Sequence, residues 1–319
     1  MMQMNIADCA AWLTAHDNYV ILTHRKPDGD TLGSAAALCL GLRNVGKKAY
    51  VLANPEVTPL YAPLMQGITK EEPDEGDLLI AVDVAADTML PKAFEGMKNS
   101  IDLRIDHHGS GREYTPREMV DSEMAACAEI VWELLLEMNV SFDEKIAEAI
   151  FVGISTDTGC FRYANTNAHT FDVAADCAAS GADIFGWTQK IFETTTLAKL
   201  RLQSWVTEHI KLFCDGKLAL CALPKAVEEE IGVSEDDMSN VSAFLRSVEG
   251  VCMAALLRET ESEFTKVSLR AIPGYDAAAV CEIFGGGGHA GAAGCSIKMP
   301  LQQAALEMEK AMIRWETGA

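Results

Sequence analysis

Four short apolar runs, "YVILTH", "KAYVLA", "LLIAVDVA" and "IDLRIDHH", punctuate the first third of this chain, and helix-like stretches such as "GSAAALCLGLRNVG" lie between them. A strand covered on both faces reads as nearly continuous apolar sequence, whereas a strand with one wet face alternates. Unalternated runs separated by helical patterns therefore predict an α/β fold, a parallel sheet with helices on both faces. In such sheets ligands gather beyond the carboxyl ends of the strands. His24, Asp83 and the Asp106–His108 group all lie at or just after such ends.

Helical patterns continue in "AACAEIVWELLLEMNV", "DEKIAEAIFVGIST" and "NAHTFDVAADCAASG", the last closed by Gly181. The chain then changes character. "KLFCDGKLALCAL" carries an Asp-Gly hairpin signal, and "GVCMAALLRETESEFTKVSLRAI" reads as two strands around a polar turn. A length of 319 residues exceeds what one core usually holds, so two domains are expected. We place a parallel-sheet domain at 1–185, a helical connector at 186–210 and a smaller α/β domain with a mixed sheet at 211–319.

The formal charge of −21 disfavours long polyanions, so extended duplex nucleic acid is not an expected partner. A small phosphorylated ligand held through divalent cations stays open, because the cation inverts the local sign. The ten cysteines are scattered without a CxxC pair and read as reduced thiols of a cytoplasmic protein. No run approaches the length of a membrane span, and the N-terminus has no export-signal pattern.

The stretch "THRKPDGDTLGS" places His24, Asp28 and Asp30 directly behind the first apolar run. A turn needs only Pro27, Asp28 and Gly29, with proline fixing φ and glycine supplying left-handed geometry. That leaves His24 and Asp30 without a task. Asp83 taken singly is a cap or turn residue, and Asp157 in "STDTG" a polar turn. Taken together, these residues with Asp106, His107 and His108 form a donor set of hard oxygens and a minority of imidazoles. Such a set suits two divalent cations, Mn²⁺ first, with Mg²⁺ or Co²⁺ as substitutes. Four carboxylates, Asp28, Asp30, Asp83 and Asp157, would balance two such ions, whose chemistry is hydrolysis at phosphorus.

The ordered set "THxxPDGDxxGS", "VD", "DHH" and "STDTGxFRY" resembles the DHH phosphoesterase superfamily. The later "KVSLR" and "FGGGGHAGAAGCSI" resemble its first type of DHH-associated domain. Length and layout are most similar to the group of bifunctional oligoribonucleases and pAp-phosphatases, which trim very short RNA and remove the 3′-phosphate of phosphoadenosine phosphate. The resemblance implies that His24, Asp28 and Asp83 hold one metal and that Asp30, Asp83, His107 and Asp157 hold the other. Asp106 would orient a histidine ligand, and His108 would face the substrate phosphate as an electrostatic stabiliser or as the acid for the leaving oxygen.

The same resemblance implies that Arg270, His289 and the loop of Gly286, Gly287 and Gly288 bind the nucleotide from across an interdomain cleft. Arg162 is a further substrate-binding candidate, whereas Lys266 reads as an ordinary strand-face lysine. The expected partner is short single-stranded RNA or a nucleotide, with no membrane, and a homodimer is left open. The competing expectations are a cyclic-dinucleotide or pApA phosphodiesterase, an exopolyphosphatase or pyrophosphatase, and a non-enzymatic nucleotide sensor.

Overall fold

All four apolar runs of the N-terminal half become strands of one fully parallel, seven-stranded sheet. In this computed structural model residues 2–109, 113–235, 237–238 and 240–318 are described. The chain divides into two units, Met1–Thr194 and Thr195–Ala319.

The first unit runs β1 (Met2–Gln3), α1 (Ile6–Ala15), β2 (Tyr19–Leu22), α2 (Gly29–Asn44), β3 (Ala49–Leu52), β4 (Thr69–Lys70) and β5 (Leu78–Val82). It continues with β6 (Ile101–Asp106), β7 (Arg117–Val120), α3 (Cys127–Glu137), α4 (Glu144–Asp157), α5 (Ala168–Ala179) and α6 (Ile184–Thr188). The strand order is β1-β7-β6-β5-β2-β3-β4. After β2 the chain moves outward through β3 and β4, then returns to build β5 on the other side of β2. The β2/β5 boundary is thus the switch point at which a parallel sheet opens a crevice.

Tyr19, Ile21, Ile80, Val82, Leu103 and Ile105 turn to a core shared with α1 to α5. Each such fully buried Leu, Ile or Val contributes about 1.5–3 kcal/mol. Their neighbours Val20, Leu22, Leu79, Ala81 and Ile101 face a second, smaller core. Its helical cover is 3₁₀ instead of α, from the turns Asp87–Met89 and Lys92–Met97. Pro91 enters the second turn. Helices α2 and α4 cross at contact distance because a Cβ on Gly33 would lie 2.3 Å from the Ala149 carbonyl oxygen. That close approach brings the C-terminus of α4 to the start of α2.

The second unit runs α7 (Leu197–His209), β8 (Lys211–Phe213), β9 (Leu218–Leu223), α8 (Lys225–Ile231), α9 (Val241–Arg246), β10 (Met253–Glu261) and β11 (Phe264–Ala271). Next come α10 (Ala277–Glu282), β12 (Gly287–His289), β13 (Ala292–Ile297) and α11 (Leu301–Thr317). Its six strands, in the order β12-β13-β11-β10-β9-β8, form a mixed sheet in which only β9 and β10 are parallel. The expected hairpins are β8–β9 and β10–β11. Val267 and Leu269 of β11 face α10 and α11, so Lys266, Ser268 and Arg270 occupy the opposite face by the period of two.

Candidate metal centre

Three switch-point strands and the ends of two helices supply the polar side chains. Past β2 the chain bends through Lys26, at φ 50°, and Asp28 becomes the N-cap of α2, its Oδ1 accepting from the Asp30 and Thr31 amides. Gly29 is not left-handed, contrary to the turn reading. It is glycine because a Cβ there would lie 2.4 Å from Cγ2 of Thr156 on α4.

Asp30, one residue into α2, is 1% exposed and accepts from the Cys127 and Ala128 amides at 2.7 and 2.9 Å. Those amides open α3, so the positive end of a helix dipole meets this carboxylate. Asp83 follows β5 at φ 56°, a left-handed setting that costs a non-glycine residue about 1–3 kcal/mol and recurs at functional sites. Its amide donates to the Ile105 carbonyl at 2.9 Å, which fixes the side chain between β5 and β6. Asp157 is the last residue of α4 and not part of a plain turn; the turn comes after it, with Gly159, Cys160 and Phe161 all at φ 57–62°.

These elements bring the sequence candidates into three overlapping groups: His24, Asp28 and Asp83; Asp30, His107 and Asp157; and Asp83, His107 and His108. His24 Nε2 lies 3.6 Å from both Asp28 Oδ1 and Asp83 Oδ2. His107 Nε2 lies 3.9, 3.7 and 3.5 Å from oxygens of Asp30, Asp83 and Asp157. Asp83 therefore turns one oxygen to each histidine. Asp83 Oδ1 and His107 Nε2 are buried without a hydrogen-bond partner among the described residues, an arrangement that costs about 1–3 kcal/mol per group unless something satisfies it.

The charges tell the same story. Burial, then the neighbouring carboxylates Asp83, Asp157 and Asp28, push the Asp30 carboxyl well up. Burial also raises Asp83, and burial with the charges of Asp83 and Asp28 lifts Asp157 to about 6. Burial disfavours a charged His24, yet Asp28 and Asp83 outweigh it and raise the imidazole to about 10. Such a group of carboxylates is crowded for lack of positive charge. Hard divalent cations fit it by donor type, by the shared carboxylate and by the two unsatisfied atoms.

Asp106 contacts His108 and not His107. Its Oδ1 accepts from the amide and Nδ1 of His108 at 3.0 and 2.8 Å, whereas His107 turns Nδ1 to the Met124 carbonyl. Burial alone would raise the Asp106 carboxyl, but His108 and Arg104 hold it below its ordinary value. Arg162 is exposed, with Nε on the Gly159 carbonyl at 2.6 Å.

In the second unit Arg270 lies on β11, Gly286 just before β12, and Gly287, Gly288 and His289 within β12. Lys266 shares the face of Arg270, and with Ser268, Ser296, Gly286 and Gly294 it lines an open depression of about 430 Å³.

Two family models match the chain. One, described as the DHH family N-terminal domain, covers residues 18–154, and the DHHA1 domain covers residues 217–315. The bifunctional oligoribonuclease and PAP phosphatase NrnA of Thermus thermophilus is 33% identical over 288 residues, 89% of this chain and 86% of that protein. The chain belongs to the DHH family. The protein of the same name from Bacillus subtilis is 26% identical over 298 residues, covering 89% of this chain and 91% of its own length. The crystal structure of an exopolyphosphatase-related protein from Bacteroides fragilis shares the fold, with a TM-score of 0.87 at 24% identity over 98% of this chain and 96% of that one.

Sequence reasoning on this DHH-family chain passed over three buried polar residues beside the cluster: Asn54, Arg104 and Glu118. Asn54 Nδ2 donates to Thr23 Oγ1 and to the His24 carbonyl, which steadies the strand end carrying His24. Its place just after "AYVLA" was the available signal.

Proposed function

We propose that this DHH-family phosphoesterase holds two divalent cations and hydrolyses short RNA oligonucleotides to mononucleotides, and that it removes the 3′-phosphate of phosphoadenosine phosphate. The observation that carries the reading is Asp83, buried, unsatisfied at one oxygen and facing His24 on one side and His107 on the other. In this reading His24, Asp28 and Asp83 hold one ion, and Asp30, Asp83, His107 and Asp157 hold the second. Two such ions, Mn²⁺ first, would supply positive charge to the phosphate oxygens and lower the pKa of the attacking water.

The chain's own residues do the rest. His108, with its side chain 40% exposed and Nδ1 taken by Asp106, would offer Nε2 to the leaving oxygen. Arg270 and His289 bind the phosphate and base of the terminal nucleotide, the guanidinium by paired hydrogen bonds or by stacking. The relatives named as oligoribonuclease and PAP phosphatase, one of them 33% identical along most of both chains, support the substrate assignment. Ten free cysteines agree with a reducing, cytoplasmic setting.

The test is Mn²⁺-dependent release of mononucleotides from a labelled RNA ladder that starts at the dinucleotide, run beside phosphoadenosine phosphate. Rapid cleavage confined to the shortest RNAs is the expected result. No cleavage of any RNA, with phosphate released from pyrophosphate or polyphosphate, would keep the metal centre and discard this substrate.

A further inference from the structure

Beneath His108 runs a set of buried charges that the metal cluster does not use. Arg104 on β6 is 2% exposed, yet it carries a guanidinium into the protein interior. Its Nε donates to Asp106 Oδ2 at 2.9 Å, and its Nη2 donates to the same oxygen. Nη1 reaches Glu118 Oε2 at 3.4 Å, and Nη2 reaches the His108 carbonyl at 3.4 Å. Glu118 is 3% exposed and sits directly opposite Arg104 in the β6–β7 register. Glu118 Oε1 in turn accepts from the Tyr114 amide at 3.2 Å, and the Tyr114 ring centroid lies 5.6 Å from the guanidinium.

This arrangement is not a good way to gain stability. Taking a guanidinium and two carboxylates out of water costs more than their attraction usually returns, and an apolar set of similar volume does as well or better. What the charges achieve is orientation. With Oδ2 gripped by two N–H groups of one planar fork, the Asp106 carboxylate cannot rotate, and Oδ1 points at His108. An ionised carboxylate only accepts, so His108 Nδ1 carries its hydrogen there, which leaves Nε2 as the ring nitrogen free of Asp106 on a side chain 40% exposed.

The geometry points to Arg104 as a positioning residue that acts through Asp106 to hold the His108 ring where its Nε2–H meets the leaving oxygen. The inference rests on the phosphoesterase reading above. In that reaction water forms the new P–O bond and gives up a proton, the P–O bond to the leaving alcohol breaks, and that oxygen takes the proton from His108 Nε2.

The experiment uses the full-length protein with Mn²⁺ and two substrates. One is an RNA dinucleotide, whose alkoxide needs a proton. The other is a bis-nitrophenyl phosphodiester, whose phenolate leaves without one. Arg104→Lys and Arg104→Met are expected to lower kcat on the dinucleotide about 10- to 100-fold with KM unchanged, the range typical for groups that orient a reacting side chain. Hydrolysis of the aryl ester and the Mn²⁺ binding isotherm should stay as in the wild type.

Added to His108→Ala, the Arg104 changes should cost nothing further, because groups acting as one unit are not additive. Equal loss on both esters, or multiplied losses in the double variant, would overturn the inference. If Arg104→Met does not fold, Arg104→Lys, which keeps the charge but loses the fork, carries the test. Wild-type protein that cleaves neither ester would instead overturn the phosphoesterase reading, and this inference with it.

Discussion

The candidate metal centre and the glycine-rich face of the C-terminal sheet have opposite charge problems. At the ends of β2, β5 and β6, the start of α2 and the end of α4, the carboxylates of Asp28, Asp30, Asp83 and Asp157 crowd around two histidines, and burial, with that crowding, holds Asp30, Asp83 and Asp157 above their ordinary pKa. On the β11 face Lys266 and Arg270 have no ion-pair partner among the described residues, in a chain with 47 acidic and only 26 basic side chains. One region is short of cations and the other of anions.

Packing separates single positions as sharply. A Cβ at Gly29 would lie 2.4 Å from Thr156, and on the glycine face a Cβ at Gly286 or Gly288 would lie 2.3 Å from the Gly294 carbonyl oxygen or 2.5 Å from the Ala292 carbonyl oxygen, whereas a Cβ at Gly287 would meet nothing within 4 Å.

The most severe test of this contrast removes its hinge. Asp83→Ala takes a donor from both groups and is expected to bring turnover to the detection limit in an initial-rate assay; appreciable residual rate would end the shared-carboxylate account. Asp157→Asn addresses the charge balance directly. Mn²⁺ at a hundred times its Kd should stabilise the wild type by about 2.7 kcal/mol per occupied site, read as a rise in Tm. The variant should keep or slightly exceed the metal-free Tm and lose the share of that rise that comes from the ion assigned to Asp157. A variant that melts early without metal would mean that the cluster is not strained by its own charge.

On the other side of the comparison, Arg270→Ala is expected to raise KM for the RNA dinucleotide about tenfold, or ~1.4 kcal/mol, with little change for the aryl diester. Equal effects on both would move Arg270 into the chemistry. The smallest effects sharpen the packing contrast. Gly29→Ala should cost about 1–3 kcal/mol by overpacking against Thr156, with partial recovery on adding Thr156→Ala. Gly287→Ala should cost less than about 0.5 kcal/mol in the same denaturation assay.

The six donors of the cluster were legible because each stands at or near the end of an apolar run or a helical pattern, where polar residues have few structural reasons to be. His24 and Asp83 follow strands whose unalternated pattern is itself the signature of a parallel sheet, and His107 follows the strand that pairs beside them. What surrounds them was not legible. "IDLRID" alternates apolar and charged residues, a pattern that normally marks a strand with one wet face, so nothing in it separates a buried Arg104 from a solvated one. Burial was decided by Glu118, which β7 brings alongside from fourteen residues further on. Gly29 misled for a related reason. A glycine after Pro-Asp signals a turn, and only the crossing of α2 and α4, set by Gly33 and Ala149, reveals that the missing side chain makes room for Thr156. Local spacing identifies candidate ligands, whereas the groups that aim them come from distant chain.

The measurement that tests the central claim most directly is the stoichiometry and magnetic coupling of bound Mn²⁺, by equilibrium dialysis with electron paramagnetic resonance on wild type and Asp83→Ala. The account predicts two ions per wild-type chain with an exchange-coupled signal, because both would share the Asp83 carboxylate, and loss of that coupling in the variant. A single, magnetically isolated ion per wild-type chain, or coupling that survives in Asp83→Ala, would contradict it.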